Sequence, residues 1–126
     1  MKILIVDDEQ DVETLFRQTF RKEIKSKALE VMFAWSGEEA MRLLGELDSP
    51  EIIYVFSDIN MPGMTGLELL EKIKSRFSNI HVSMVSAYGD RDNYEKAIKS
   101  GAKGFFSKPV DFESLKKEIE ELLTHK

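Results

Sequence analysis

The chain contains no cysteine, which excludes disulfide staples, zinc–thiolate sites and thiol catalysis. It has no apolar run of membrane-spanning length; the largely apolar opening segment, residues 1 to 6, is far too short for a signal peptide or a span. Positive charge is not in excess either. A net charge of −5 and a pI near 5.1 disfavour nonspecific binding to DNA or to anionic membranes. Protein partners are therefore expected, with no direct nucleic-acid contact and no membrane. No repeat, linker or low-complexity tract interrupts the 126 residues, a length that suits one α/β unit with a single buried core and leaves no room for a second full domain. The 42% hydrophobic content is enough to fill that core, and a soluble, cytoplasmic protein is the expectation.

What is present alternates in period. Lys2 to Val6 predicts a strand, and Glu9 to about Ile24 a single helix, with Val12, Leu15, Phe16, Thr19 and Phe20 on one buried face. Leu29 to Ala34 is a second strand; Ser36 followed by Glu39 is a capping-box pattern opening a helix with Ala40, Leu43, Leu44 and Leu47 inward. Pro50 ends that region, and residues 51 to 57 form a nearly all-apolar strand of the kind buried on both faces. Turn residues Pro62, Gly63 and Gly66 precede a helix burying Leu67, Leu70, Ile73 and Phe77. Ile80 to Val85 is the fourth strand, about Asp90 to Ser100 the fourth helix, and Gly104 to Phe106 a short fifth strand. The last helix runs from Asp111, its expected N-cap, to about Thr124, burying Leu115, Ile119, Leu122 and Leu123. Such β/α units, joined by short right-handed crossovers, predict a central parallel sheet covered by helices on both faces.

No local metal motif is visible, yet strand ends far apart in sequence carry matching chemistry. Asp7 and Asp8 follow the first strand, Asp58 the third, Ser86 the fourth and Lys108 the fifth. In a parallel sheet these ends share one edge, where ligands bind. Gathered carboxylates repel unless a cation intervenes, and with only hard oxygen ligands on offer the expected ion is Mg²⁺. Such a site suits phosphoryl transfer to a carboxylate, with Lys108 as a point charge and Ser86 as a hydroxyl donor. Taken singly, each residue has a plainer role: a helix cap for Asp7 and Asp8, a turn for Asp58, a strand-end hydroxyl for Ser86 and a solvated charge for Lys108. Their convergence on one edge favours the functional reading.

Val6-Asp7-Asp8-Glu9, the segment from Ser57 to Gly66, Ser86-Ala87 and Gly104-Phe105-Phe106-Ser107-Lys108-Pro109 together resemble the receiver domain of bacterial two-component response regulators. The resemblance covers essentially the whole chain, residues 1–126. It implies a flavodoxin-like (βα)5 doubly wound five-stranded parallel sheet with strand order 2-1-3-4-5. It implies Asp58 as phosphoacceptor, Asp8 as the chief acidic Mg²⁺ ligand, Asp7 contributing directly or through water, and the Asn60 backbone carbonyl completing the protein's share. Ser86 matches the switch hydroxyl, Lys108 the phosphate-binding lysine, and Pro109 a proline whose preceding bond is cis in that family. Phe105 stands where the family carries a Tyr, Phe or His that turns inward on activation. Lacking a hydroxyl, it can switch only by repacking. Tyr88 and Asn60 would flank the site and tune the lifetime of the phosphoryl group.

The resemblance further implies a switch rather than an enzyme. Its phosphodonor would be a sensor histidine kinase or histidine phosphotransfer protein, and its output face the fourth helix, fifth strand and last helix. The output would pass to a separate effector protein, to a C-terminal output domain beyond these residues, or through a homodimer formed on phosphorylation. Gly101-Ala102-Lys103-Gly104 lacks the acidic pair of the winged-helix transcription-factor group, so that group's symmetric charged dimer is not implied. A haloacid-dehalogenase-like phosphatase also uses an aspartyl nucleophile with Mg²⁺. Its Asp-x-Asp, however, follows the first strand, whereas Asp58-Ile59-Asn60 follows the third. A flavodoxin-like cofactor carrier lacks support because no Ser/Thr/Gly-rich phosphate loop follows the first strand. The basic run from Lys22 to Lys27 reads as a solvated helix end favouring the C-terminal dipole, or as a contact for an acidic partner.

Overall fold

The computed structural model describes residues 2–46, 53–87, 91–108 and 112–124, with the side chains of Ile53, Ala87, Lys108, Phe112 and residues 122–124 outside the description. The strands are β1 (Lys2–Val6), β2 (Glu30–Ala34), β3 (Ile53–Asp58), β4 (His81–Ala87) and β5 (Gly104–Lys108). The helices are α1 (Gln10–Thr19), α2 (Arg21–Lys25), α3 (Gly37–Glu46), α4 (Gly66–Arg76), α5 (Arg91–Lys99) and α6 (Phe112–Thr124). All strand pairs are parallel, in the order β2-β1-β3-β4-β5. This is the flavodoxin-like doubly wound order, whose switch point lies between β1 and β3. No helix among the described residues is long and apolar enough to cross a membrane.

Period-2 alternation in the strands divides the core between the two faces of the sheet. Leu4, Val6, Val55, Val82 and Met84 meet Ala40, Met41 and Leu44 of α3, Leu69, Leu70 and Ile73 of α4, and Ala97 of α5. Ile3, Ile5, Tyr54 and Phe56 point the other way, to Phe16, Phe20, Leu115 and Ile119, and so to α1 and α6.

The expected single helix from Glu9 to Ile24 is instead two, meeting at Phe20, whose ψ of 22° leaves the helical range. Phe16 and Phe20 are both buried with ring centroids 4.6 Å apart. The bend after them lets Ile24 and Leu29 return to the core while Arg21, Lys22 and Lys25 stay in solvent. Lys27, at a left-handed φ of 66°, closes the turn. Leu15 was expected inside but is 48% exposed. Val12, Phe16 and Phe20 make up the stripe facing the sheet, and Leu15 lies about 100° around the helix from Phe16.

In α4 the inward stripe is Gly66, Leu69, Leu70 and Ile73, while Leu67 and Phe77 are only partly buried. The i, i+3, i+4, i+7 spacing starts at the glycine because that residue lies against the sheet. Three strands also run further than expected, with Asp58, Ser86 and Lys108 inside β3, β4 and β5. The ladder carries them there: Asp58 pairs with Val85, Ser86 with Ser107 and Ala87 with Lys108. Strand β2 begins at Glu30 rather than Leu29. The Ser36 cap is present, its Oγ accepting the Glu39 N–H at 3.1 Å. Glu39 Oε1, however, accepts from the Trp35 N–H at 2.9 Å rather than from Ser36. Leu47, Pro50, Tyr88, Asp90, Pro109 and Asp111 lie outside the described residues.

A buried polar tie fixes α6. Tyr54 on β3 is fully buried, hydrogen-bonds Ser83 Oγ on β4, and donates to Glu118 Oε1 on α6 at 2.7 Å. Burial pushes the phenol above its ordinary pKa, which keeps it a donor. A Cβ on Gly104 would stand 2.9 Å from Ser83 Oγ, so the glycine leaves room for the tie.

Candidate metal and phosphoryl site

The switch point between β1 and β3 sets the site. The Asp7 N–H donates to Ala34 O at 3.1 Å, carrying the β1–β2 ladder one residue past Val6. Asp7 Oδ1 in turn accepts the Glu9 N–H at 2.9 Å, turning the chain into α1. Asp8, between them, is exposed. On β3, Asp58 ends the strand, and the Ile59 N–H donates to Val85 O at 3.1 Å. The neighbouring Asn60 N–H approaches Asp58 Oδ1 at 3.4 Å.

These turns bring one carboxylate oxygen each from Asp7, Asp8 and Asp58 within 4.8 Å of one another. Asp7 is 3% and Asp58 5% exposed. Buried like charges at this range are costly without a counter-cation. The donor set is all oxygen, which suits a hard divalent ion. The 4.8 Å spread is only slightly wider than the ~4.2 Å between opposite ligands of Mg²⁺ bound at about 2.1 Å. The three acids therefore fit such an ion.

The remaining residues expected at the site lie on β4, on β5 and just after β3. Ser86 is fully buried, one residue beyond the Asp58 partner Val85. The Lys108 backbone pairs with Ala87 on the same edge, and its side chain lies outside the description. Asn60 is exposed. Phe105 is half-buried and meets Tyr94 of α5 edge to face at 5.3 Å.

Two features escape the sequence reading. Gly66 is more than a turn residue: a Cβ there would lie 2.1 Å from the Asp58 carbonyl oxygen, and its N–H donates to Ile59 O at 2.9 Å. Helix α4 thus starts directly against the backbone of Asp58. Thr65 and Glu68 form a full capping box at that start, and the Thr-x-x-Glu pattern was its available signal.

Comparison with known proteins identifies the family. The family described as "Response regulator receiver domain" matches residues 3–120. Sporulation initiation phosphotransferase F of Bacillus subtilis is 30% identical over 122 residues, covering 97% of this chain and 93% of that protein. A cyclic di-GMP phosphodiesterase of Thermotoga maritima is 31% identical over 126 residues, 100% of this chain but 32% of its own length. The crystal structure of a receiver domain protein from Clostridium thermocellum aligns with a TM-score of 0.83 at 29% identity, over 98% of this chain and 94% of that one. The chain belongs to the response regulator receiver domain family.

Proposed function

We propose that residues 1–126 act as a cytoplasmic, phosphorylation-activated switch in which Asp58 accepts a phosphoryl group from a histidine kinase or a histidine phosphotransfer protein. The observation that carries this reading is the convergence of Asp7, Asp8 and buried Asp58 at the β1/β3 switch point. When bound, Mg²⁺ would supply charge neutralisation, held by Asp8, Asp58, the Asn60 carbonyl and Asp7 directly or through water. A carboxylate oxygen of Asp58 attacks phosphorus in line. The P–O bond forms as the donor's P–N bond breaks, and the electron pair and a proton end on the donor imidazole. Lys108 then pairs with the phosphoryl oxygens and the Ser86 hydroxyl donates to one of them. The unit turns over no substrate of its own in this reading.

Intact mass after incubation with Mg²⁺ and a small phosphodonor tests the reading. One added phosphoryl group is expected, and an unchanged mass would exclude it. The metal assignment is tested by titration. Asp8→Ala is expected to weaken Mg²⁺ binding by more than about tenfold, since even supporting-residue mutations at metal sites reach that size. Glu9→Ala is expected to leave it nearly unchanged, and equal affinities for the two variants would contradict the ligand set.

Output is assigned to α5, β5 and α6. A phosphoryl group adds charge at the sheet edge, and movement of Ser86 towards it bears on β4 and the half-buried Phe105, which touches Tyr94. Tyr94 and Ile98 of α5 are 47% and 44% exposed, and this apolar surface supports the reading that a partner docks there. That partner is a separate effector, an output domain on a longer chain, as the length of the Thermotoga relative illustrates, or a second phosphorylated copy. Ser86→Ala is expected to leave Asp58 phosphorylation largely intact while uncoupling it from this face. Hydrogen exchange with and without a phosphoryl mimic checks this. If α5 and β5 of the variant respond as strongly as in wild type, Ser86 is not the coupling element.

A further inference from the structure

The loop from Ile59 to Thr65 carries Asn60, and two contacts hold its C-terminal end. At Thr65 the capping box anchors it to α4. One residue earlier a different helix takes hold: Glu38, in the first turn of α3, accepts the Met64 backbone N–H on Oε1 at 3.1 Å across 26 positions of sequence. The same oxygen lies 3.3 Å from where a Cβ on Gly63 would stand, and Gly63 turns the chain at a φ of +75°. Beside it, Gly37 makes room for Met64, whose Sδ would be 2.7 Å from a Cβ there. Glu38 is exposed and burial does not require it. A first-turn acid needs only to face the helix dipole, whereas this one meets the backbone of another segment.

We propose that Glu38 is a positioning residue for the acid site. Through Met64 it holds the loop so that the Asn60 N–H stays near Asp58 Oδ1 and the Asn60 carbonyl would be available to a bound ion. The metal half of this inference rests on the ligand set proposed above; the loop half does not.

Two variants separate the hydrogen bond from the charge. Glu38→Gln keeps an acceptor oxygen and removes the charge, while Glu38→Ala removes both. In the full chain without metal, Glu38→Ala is expected to speed hydrogen exchange at the Met64 and Asn60 amides, and Glu38→Gln to leave both near wild type. Mg²⁺ titration is expected to show about three- to tenfold weaker binding for Glu38→Ala, the range that one such hydrogen bond supports, and less than about twofold for Glu38→Gln. An Asn60 amide that exchanges at the wild-type rate in Glu38→Ala overturns the proposal whatever the metal arm gives, as does a Gln variant as impaired as the Ala variant. If wild type and Asp8→Ala bind Mg²⁺ equally poorly while the amide response appears as expected, the ligand set fails and the loop-positioning role stands.

Discussion

Asp58→Asn is expected to abolish stable phosphorylation, with no phosphoryl mass gain under conditions that fully modify the wild type. A carboxylate oxygen can form an acyl phosphate, and the amide oxygen that replaces it is not a competent nucleophile. Misfolding would give the same null, so stability has to be read alongside. The substitution removes one of three negative groups whose oxygens lie within 4.8 Å and so relieves like-charge repulsion. In metal-free buffer the variant's melting temperature is therefore expected not to fall below that of the wild type. Modification at the native rate would remove Asp58 from its role; a marked loss of stability would mean that the carboxylate chiefly serves the fold.

The second large effect is structural. In Gly66→Ala the new methyl would stand 2.1 Å from Asp58 O, 2.7 Å from Ile59 Cα and 2.9 Å from Asp58 C. All three are backbone atoms, so no side-chain rotation relieves the overlap. Either α4 lifts from the sheet or the end of β3 moves, and the Gly66 N–H bond to Ile59 O weakens in both cases. Overpacking costs about 1–3 kcal/mol and the hydrogen bond about 1 kcal/mol, against roughly 1 kcal/mol gained by alanine in a helix. A net loss of about 1–3 kcal/mol in urea denaturation is expected, with weakened Mg²⁺ binding because the displaced backbone belongs to Asp58. Gly45 in α3 is the control. A Cβ there meets nothing within 4 Å, so Gly45→Ala is expected to be neutral or stabilising by up to about 1 kcal/mol. Equal midpoints for the two variants would remove the close-contact argument.

The acids of the site are legible in the sequence because a parallel sheet gathers the C-terminal ends of its strands. Once β1 and β3 are recognised, Asp7, Asp8 and Asp58 must share an edge, and the switch-point rule makes them neighbours. The buried strand interiors are legible for the same reason, since their apolar runs have few alternatives. Legibility fails where tertiary contact overrides local pattern. The bend at Phe20 depends on two aromatic rings packing together, and the α4 stripe depends on where Gly66 lands. Neither is encoded by helical period alone. Glu38 gives no local signal because its partner is a backbone N–H 26 positions away. Tyr54 and Ser83 read as members of apolar strands, and only the arrival of Glu118 from α6 explains their polar atoms.

The contact made by Glu118 also bears on how α6 is registered against the sheet. Glu118 is the central residue of Phe112–Thr124, with Leu115 and Ile119 buried on either side of it. Translation along the sheet would pull the carboxylate off a buried phenol and Lys116 away from Glu23, its ion-pair partner at 3.6 Å. Helix α6 is thus indexed to β3 at its middle turn, and a shift along its axis would cost a buried hydrogen bond.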